Sequence, residues 1–162
     1  MISPEALRRY PFFAQLDPNQ LANLAMITEE VRCEDGETIF RQNDRAENLY
    51  FLMEGCVDLY YTIREAYLEA DQKEALVCQI NPGEIFGIST LIPPHEMTSS
   101  ARSTNHSRIM EIDGSQLKEL FEQDREMGIL LMRRVAKAAL LRLHSTRIQL
   151  AAAWEMQREL AS

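Results

Sequence analysis

The segment Ile39-Phe40-Arg41-Gln42-Asn43-Asp44-Arg45-Ala46-Glu47-Asn48-Leu49-Tyr50-Phe51-Leu52-Met53-Glu54-Gly55 decides the fold. Asn43-Asp44 is a turn signal, because asparagine tolerates the left-handed backbone that glycine otherwise supplies. Leu49 to Met53 is an unbroken apolar run of strand length, which predicts a buried strand. Glu54-Gly55 predicts a two-residue hairpin turn, with Val57-Asp58-Leu59-Tyr60-Tyr61 as the return strand. Thr38-Ile39-Phe40 predicts a short strand ahead of the Asn43 turn.

Outward from this segment the same texture continues. Asp35-Gly36 is a turn, and Thr62 to Glu74 is polar and acidic, the pattern of an exposed loop or hairpin extension. Ala75 to Ile80 reads as a strand, Asn81-Pro82-Gly83 as a turn, and Arg108 to Ile112 as a last, alternating strand. Short strands with turn signals at this spacing predict a closed sandwich or roll. Helices bracket it. Pro4 to Tyr10 is a short helix, and Pro11-Phe12-Phe13 a packing anchor. Asp17-Pro18 opens a helix carrying Leu21, Leu24, Ala25 and Ile27, with Asp as cap and Pro at the first helical position. Asp113 or Ser115 caps a helix carrying Leu117, Leu120 and Phe121, and Asp124 caps one reaching about Leu160. Residues 1–123 are thus expected to form the roll with its flanking helices, and 124–162 the C-terminal helix.

With 162 residues, 46% apolar and 26% charged, the chain can bury one ordinary core. Its net charge of -8 argues against non-specific nucleic-acid binding, which needs a basic face. The charge is uneven: residues 126–162 carry six Lys/Arg against three Asp/Glu. Cys33, Cys56 and Cys78 are isolated, without metal or disulfide spacing. The start lacks an apolar signal region, and the apolar runs are too short for a membrane span. The expectation is a cytoplasmic protein.

The segment 39–55 resembles the cyclic-nucleotide-binding domain family, as in regulators of the catabolite-activator type. Asp44, Ala46, Leu49 to Leu52 and Gly55 fit its pattern, while Phe40 and Asn43 depart mildly. A second block, Asn81-Pro82-Gly83-Glu84-Ile85-Phe86-Gly87, fits the family's Pro-Gly-x-x-Phe-Gly turn. The resemblance covers about Leu7 to Leu150. It implies a mainly β fold, an eight-stranded jelly-roll-like β-roll with N-terminal helices and a long C-terminal dimerisation helix.

It also implies a ligand cassette over Phe86, Gly87, Ile88, Ser89, Met97, Thr98, Ser99 and Ser100, with Arg102 and Arg142 as outlying candidates. In the family an acid takes the ribose hydroxyl and an arginine grips the cyclic phosphate. Counting back from the strand at 108–112 places Met97 at the arginine position, and Ile88 stands at the acid position. Neither can make the bond. Charged hydrogen bonds are worth about 1.5–3 kcal/mol each, so losing two moves a micromolar site toward millimolar. Arg102 lies five residues beyond Met97 and reaches a phosphate only if the loop is differently shaped; otherwise it is an outward-facing strand residue. The hydroxyls of Ser89, Thr90, Thr98, Ser99 and Ser100 suit a neutral or weakly anionic ligand, or simply their own backbone. Arg142-Leu143 falls where cAMP-responsive relatives place a polar contact to the adenine.

On the last helix Ala136, Leu140, Leu143, Arg147, Leu150 and Trp154 recur at spacings of four and three, a heptad seam with one polar interruption. The expectation is a homodimer through this helix, the alternative a helix folded back on its own roll. The family's transcription regulators continue into a DNA-reading helix-turn-helix; the sequence ends at Ser162, so no DNA partner is expected. Four functions compete. The first is a non-catalytic sensory module with weak or altered cAMP or cGMP binding. The second is a ligand-free degenerate domain acting on an unknown protein partner. The third is a haem sensor using His95, His106, His144 or Cys78. The fourth is an enzyme, disfavoured because the histidines are dispersed and no G-x-S-x-G elbow or phosphate-binding P-loop appears.

Overall fold

The structure, a computed structural model, describes residues 1–63 and 73–162. Its elements run α1 (Pro4–Arg8), α2 (Pro18–Met26), β1 (Thr28–Cys33), β2 (Thr38–Phe40), β3 (Asn48–Glu54), β4 (Val57–Ile63), β5 (Lys73–Ile80), β6 (Ile85–Phe86), β7 (Ser100–Ser103), β8 (Ser107–Asp113), α3 (Gly114–Gln123) and α4 (Arg125–Ala161). Short 3-10 turns cover Pro11–Phe13 and Ile88–Leu91. The strands form two four-stranded antiparallel sheets, in the orders β1-β8-β3-β6 and β2-β7-β4-β5. This is the expected eight-stranded β-roll with N-terminal helices and a long C-terminal helix.

The expected Glu54-Gly55 hairpin is corrected. β3 and β4 lie in different sheets and do not pair. They behave as one long strand bent at Gly55-Cys56, paired along its length with β8 and β7, which bend beside it at Thr104–His106. The Cys56 amide donates to the Asn105 side chain at 2.9 Å, and the Thr104 amide to the Cys56 carbonyl at 3.0 Å. Gly55 has φ 98°, and a Cβ there would sit 2.2 Å from the Ser107 hydroxyl. The glycine marks a crossing between sheets, not a reversal. The stretch 62–74 is partly strand: Thr62 and Ile63 end β4, Lys73 and Glu74 begin β5, and 64–72 lie outside the described residues.

β3 explains its own apolar run. It lies inside its sheet with both faces covered. Leu49, Phe51 and Met53 face the helices, where they join Leu7, Phe13, Leu21, Leu24, Leu117, Met127, Leu131 and Val135. Tyr50 and Leu52 face the opposite sheet, with Phe40, Val57, Leu59, Phe86, Met97, Ala101 and Ile109. The Pro11–Phe13 anchor is real: Tyr10, Phe12 and Phe13 all pack on the Phe51 ring, with centroids 4.8–6.0 Å away. Capping follows the sequence. Asp17 and Gln20 form a reciprocal capping box on α2. Asp113 accepts from the Gln116 amide and Asp124 from the Met127 amide, both of which start helices.

α4 carries 37 residues and is about 55 Å long. Met127, Leu131 and Val135 are buried on the roll. From 143 onward every residue is exposed. No helix among the described residues is long and apolar enough to cross a membrane.

Candidate functional site

Where α4 leaves the core it roofs a cleft of about 570 Å³. The floor comes from the roll: Phe40, Leu59, Tyr61 and Val77 from the second sheet, Gly87 to Ser89 and Ile92 from the turn after β6, and Met97 to Ser99 from the segment before β7. The roof comes from Ala139, Arg142 and Thr146 on one face of α4.

The turn after β6 is built by Gly87. Its φ is 71°, a left-handed backbone, and a Cβ there would lie 2.8 Å from the Tyr50 ring. This glycine lets the chain turn tightly over the stacked rings of Phe40, Tyr50 and Phe86 and open the 3-10 turn at Ile88. Thr90 spends its hydroxyl on the Ala46 carbonyl at 3.1 Å, so it supplies the turn, not the cleft. Met97 is 3% exposed and packs among the inter-sheet core. Its backbone is pinned to the Asn43 turn: its amide donates to the Asp44 carbonyl and its carbonyl accepts from the Asn43 amide, both at 2.8 Å. Asn43 itself has φ 71°, as the sequence predicts. The side chain that the sequence reading sets at the family's arginine position is thus a thioether buried in the core.

Seven of the ten sequence-predicted residues line this cleft together: Gly87, Ile88, Ser89, Met97, Thr98, Ser99 and Arg142. Phe86 is fully buried behind it. Ser100 and Arg102 are set apart. Strand alternation turns them to the other face of β7 from the buried Ala101. The Ser100 hydroxyl accepts from the Gln42 amide at 2.9 Å. Arg102 pairs with Glu74, and its guanidinium lies 4.6 Å from the Tyr60 ring centroid. Both line a separate, polar hollow of about 240 Å³ with Thr38, Gln42, Thr62 and Glu74. Arg102 therefore lies outside the cleft, held by Glu74. Sequence reasoning missed Phe40, Leu59, Tyr61, Val77, Ile92, Ala139 and Thr146 as lining residues, and named Cys78, which also lines the cleft, only as a haem-ligand candidate. Two signals point to them: Leu59 and Tyr61 share a face of β4 with the buried Val57, and Ala139 and Thr146 lie three before and four after Arg142 on its helix.

The electrostatics are spare. Among the described lining residues Arg142 is the sole permanent charge. Its guanidinium has neither ion pair nor hydrogen bond within the described residues. Burial pulls its pKa below the usual arginine value, while Cys78 and Glu84 pull the other way. Burial pushes the Cys78 thiol up, with Arg142 opposing, so the sulfur is held as thiol. His95, His106 and His144 do not line the cleft. Among the described residues no cluster of His, Cys, Asp and Glu could hold a metal.

Two four-stranded antiparallel sheets with flanking helices and a cleft under the long last helix define a β-roll domain. The chain belongs to the cyclic nucleotide-binding domain family, whose model matches residues 30–124. It is 27% identical over 133 residues to the CRP-like cAMP-activated global transcriptional regulator of Mycobacterium tuberculosis, covering 82% of this chain and 57% of that protein. It is 24% identical over 117 residues to the cAMP-dependent protein kinase regulatory subunit of Dictyostelium discoideum, covering 72% of this chain and 35% of that one. The chain thus spans between about a third and somewhat over half of these two relatives. Among solved structures, a candidate cyclic nucleotide-binding protein from Geobacter metallireducens GS-15 is 44% identical with a TM-score of 0.75, covering 89% of this chain and 100% of that one.

Proposed function

We propose that this chain is a non-catalytic sensory module whose cleft binds cAMP or cGMP weakly or in altered form, and whose α4 carries the signal to a second copy. One observation carries the reading. The wall of the cleft is shared between roll and helix, so any occupant touches Ala139, Arg142 and Thr146 of α4 as well as the roll. A ligand that prefers one seating of α4 then shifts the helix population by its differential affinity. Weak nucleotide binding follows from Ile88 and Met97 at the two anchoring positions. The dimer follows from the exposed seam: Leu140, Leu143, Leu150 and Trp154 are each 45–64% exposed on a helix the roll does not cover.

The test is calorimetry with cAMP and cGMP on the wild type and on an Ile88→Glu, Met97→Arg variant. Dissociation constants near millimolar for the wild type and at least tenfold tighter for the variant are expected. Because Met97 is buried and Ile88 only half-buried at the edge of the core, Ile88→Glu alone serves as a second, milder variant, with its fold checked by denaturant unfolding. Micromolar binding by the wild type would overturn the assignment of the two positions.

A second reading has an observation of its own. Met97 fills the anion position as part of the core, which suits a domain that has given up its ligand and acts through protein contacts. Absence of heat from both nucleotides in every variant, with α4 still pairing, would favour it.

A further inference from the structure

The geometry points to an apolar carboxylate as the ligand of the cleft beneath α4, with Arg142 on the helix, not a side chain of the roll, as its anion receptor. This rests on the reading of that cleft as the ligand site and names the chemistry the site takes.

The arginines of this chain divide by what they touch. Arg108 donates to Glu30 at 2.8 Å and to Glu54 at 2.6 Å. Arg102 is held by Glu74, and Arg134 donates to the Pro11 and Phe12 carbonyls and to Gln15. Arg142 is half-buried and holds no such partner among the described residues. A guanidinium keeps its charge under any ordinary condition, so its partial loss of water is uncompensated. Burial acts on it first, and the Coulomb pull of Cys78 and Glu84 offsets this only in part. An anion at the roof of the cleft would supply the missing partner.

The lining sets the rest of the ligand. Phe40, Leu59, Tyr61, Val77, Ile88 and Met97 offer carbon, and the hydroxyls of Ser89, Thr98 and Ser99 offer only neutral polar contact. One planar guanidinium fork matches one planar carboxylate in bidentate fashion. A dianion would need a second cation, and the described lining of the cleft has none; in the adjoining hollow, which Arg142 also lines, Lys137 and Glu84 offset each other and Arg134 is engaged by the Pro11 and Phe12 carbonyls. The volume of about 570 Å³ accommodates a ring-sized body beneath the charge. Such a ligand bridges the carbon floor of the roll to a charge on α4, so its binding holds the helix down.

The experiment is calorimetry on the full chain with 1-naphthaleneacetate and its neutral counterpart 1-naphthaleneacetamide. The variants are Arg142→Gln and, as control, Arg133→Gln, exposed on the same helix and outside both the cleft and the seam. The acid is expected to bind wild type about tenfold more tightly than the amide, since a charged hydrogen bond is worth at least that factor. Arg142→Gln should erase the preference while leaving the amide within about twofold, and Arg133→Gln should keep it. Equal affinity for acid and amide, a preference that survives Arg142→Gln, or no heat from either compound would overturn the assignment. The parent reading fails separately. If cAMP gains affinity in the Ile88→Glu variant while the naphthalene acid does not bind, the nucleotide site stands and the carboxylate receptor falls. If the acid binds through Arg142 but hydrogen exchange along residues 139–161 does not change, the receptor stands and signalling through α4 falls.

Discussion

The two ends of α4 both carry large apolar side chains but sit in different surroundings. In the first, Met127, Leu131 and Val135 are at most 3% exposed and lock into the cluster around Phe51. Arg134, beside them, ties the helix to the Pro11–Phe13 turn. In the second, Ile148, Leu150, Trp154, Met156 and Leu160 are all more than half exposed. Helix propensity does not distinguish them, since both are helical. What differs is the presence of the roll beneath. A helix in water draws most of its stability from packing an apolar face, so the seated end is held by this domain and the far end depends on something else.

Several measurements would break or sharpen that contrast. The largest effect belongs to the seated end. Leu131→Ala should cost about 2–5 kcal/mol in denaturant unfolding, from lost transfer energy plus the cavity left behind. Leu150→Ala should change monomer stability by less than about 0.5 kcal/mol. Similar losses at the two sites would show that the far end is packed as well.

The arginines give the next contrast. Arg134→Ala should cost about 1–2 kcal/mol, because two carbonyls lose a charged donor. Arg142→Ala should be close to neutral, since no partner among the described residues is lost. A clear destabilisation by Arg142→Ala would mean that the guanidinium is already satisfied, and the anion-receptor argument would lose its premise.

The far end can be read through Trp154, the sole tryptophan of the chain. Its emission should be that of an exposed indole when the protein is dilute, and shift to the blue as concentration rises. Leu143→Glu with Leu150→Glu should abolish that shift and halve the mass in sedimentation, with little change in unfolding. An emission independent of concentration, with a monomer mass throughout, would break the proposed dimer.

The smallest effect is a pH dependence confined to the seated end. Hydrogen bonds from the Met127 amide and then the Gln20 side chain hold the Asp124 carboxyl below the ordinary aspartate range. A depressed carboxyl stabilises the fold above its unfolded pKa, and that contribution is lost as pH falls through the folded value. Exchange protection in the first turn of α4 should therefore weaken on acidification below the usual aspartate range. Asp124→Asn, which keeps a cap without the charge, should remove this dependence.

Much of this was legible beforehand. The turn at Asn43, the buried run at Leu49–Met53, the Asp17, Asp113 and Asp124 caps and the extent of α4 all follow from short-range physics, because each depends on neighbours within a few residues. The grouping of Gly87, Ile88 and Met97 around one cleft was legible as well, since they sit at fixed distances along the chain from recognisable turns. β1, β6 and β7 were not. Thr28–Cys33 is a charged strand that pairs only with β8, Ile85–Phe86 is two residues long, and Ser100–Ser103 is small and polar. None carries an apolar rhythm strong enough to announce a strand.

The sequence by itself determined most of the local conformations, the order of elements and the residue types that reach the cleft, among them Ile88 and Met97. Only the tertiary structure decided that Gly55 passes the chain between sheets where a hairpin was expected, because pairing across sheets depends on strands fifty residues away. Only the tertiary structure, likewise, chose the outward-facing strand position for Arg102 and paired it with Glu74, and brought Arg142 over a cleft lined mostly with carbon. A side chain's type is written in the sequence, but whether its charge finds a partner depends on what the folded chain places around it.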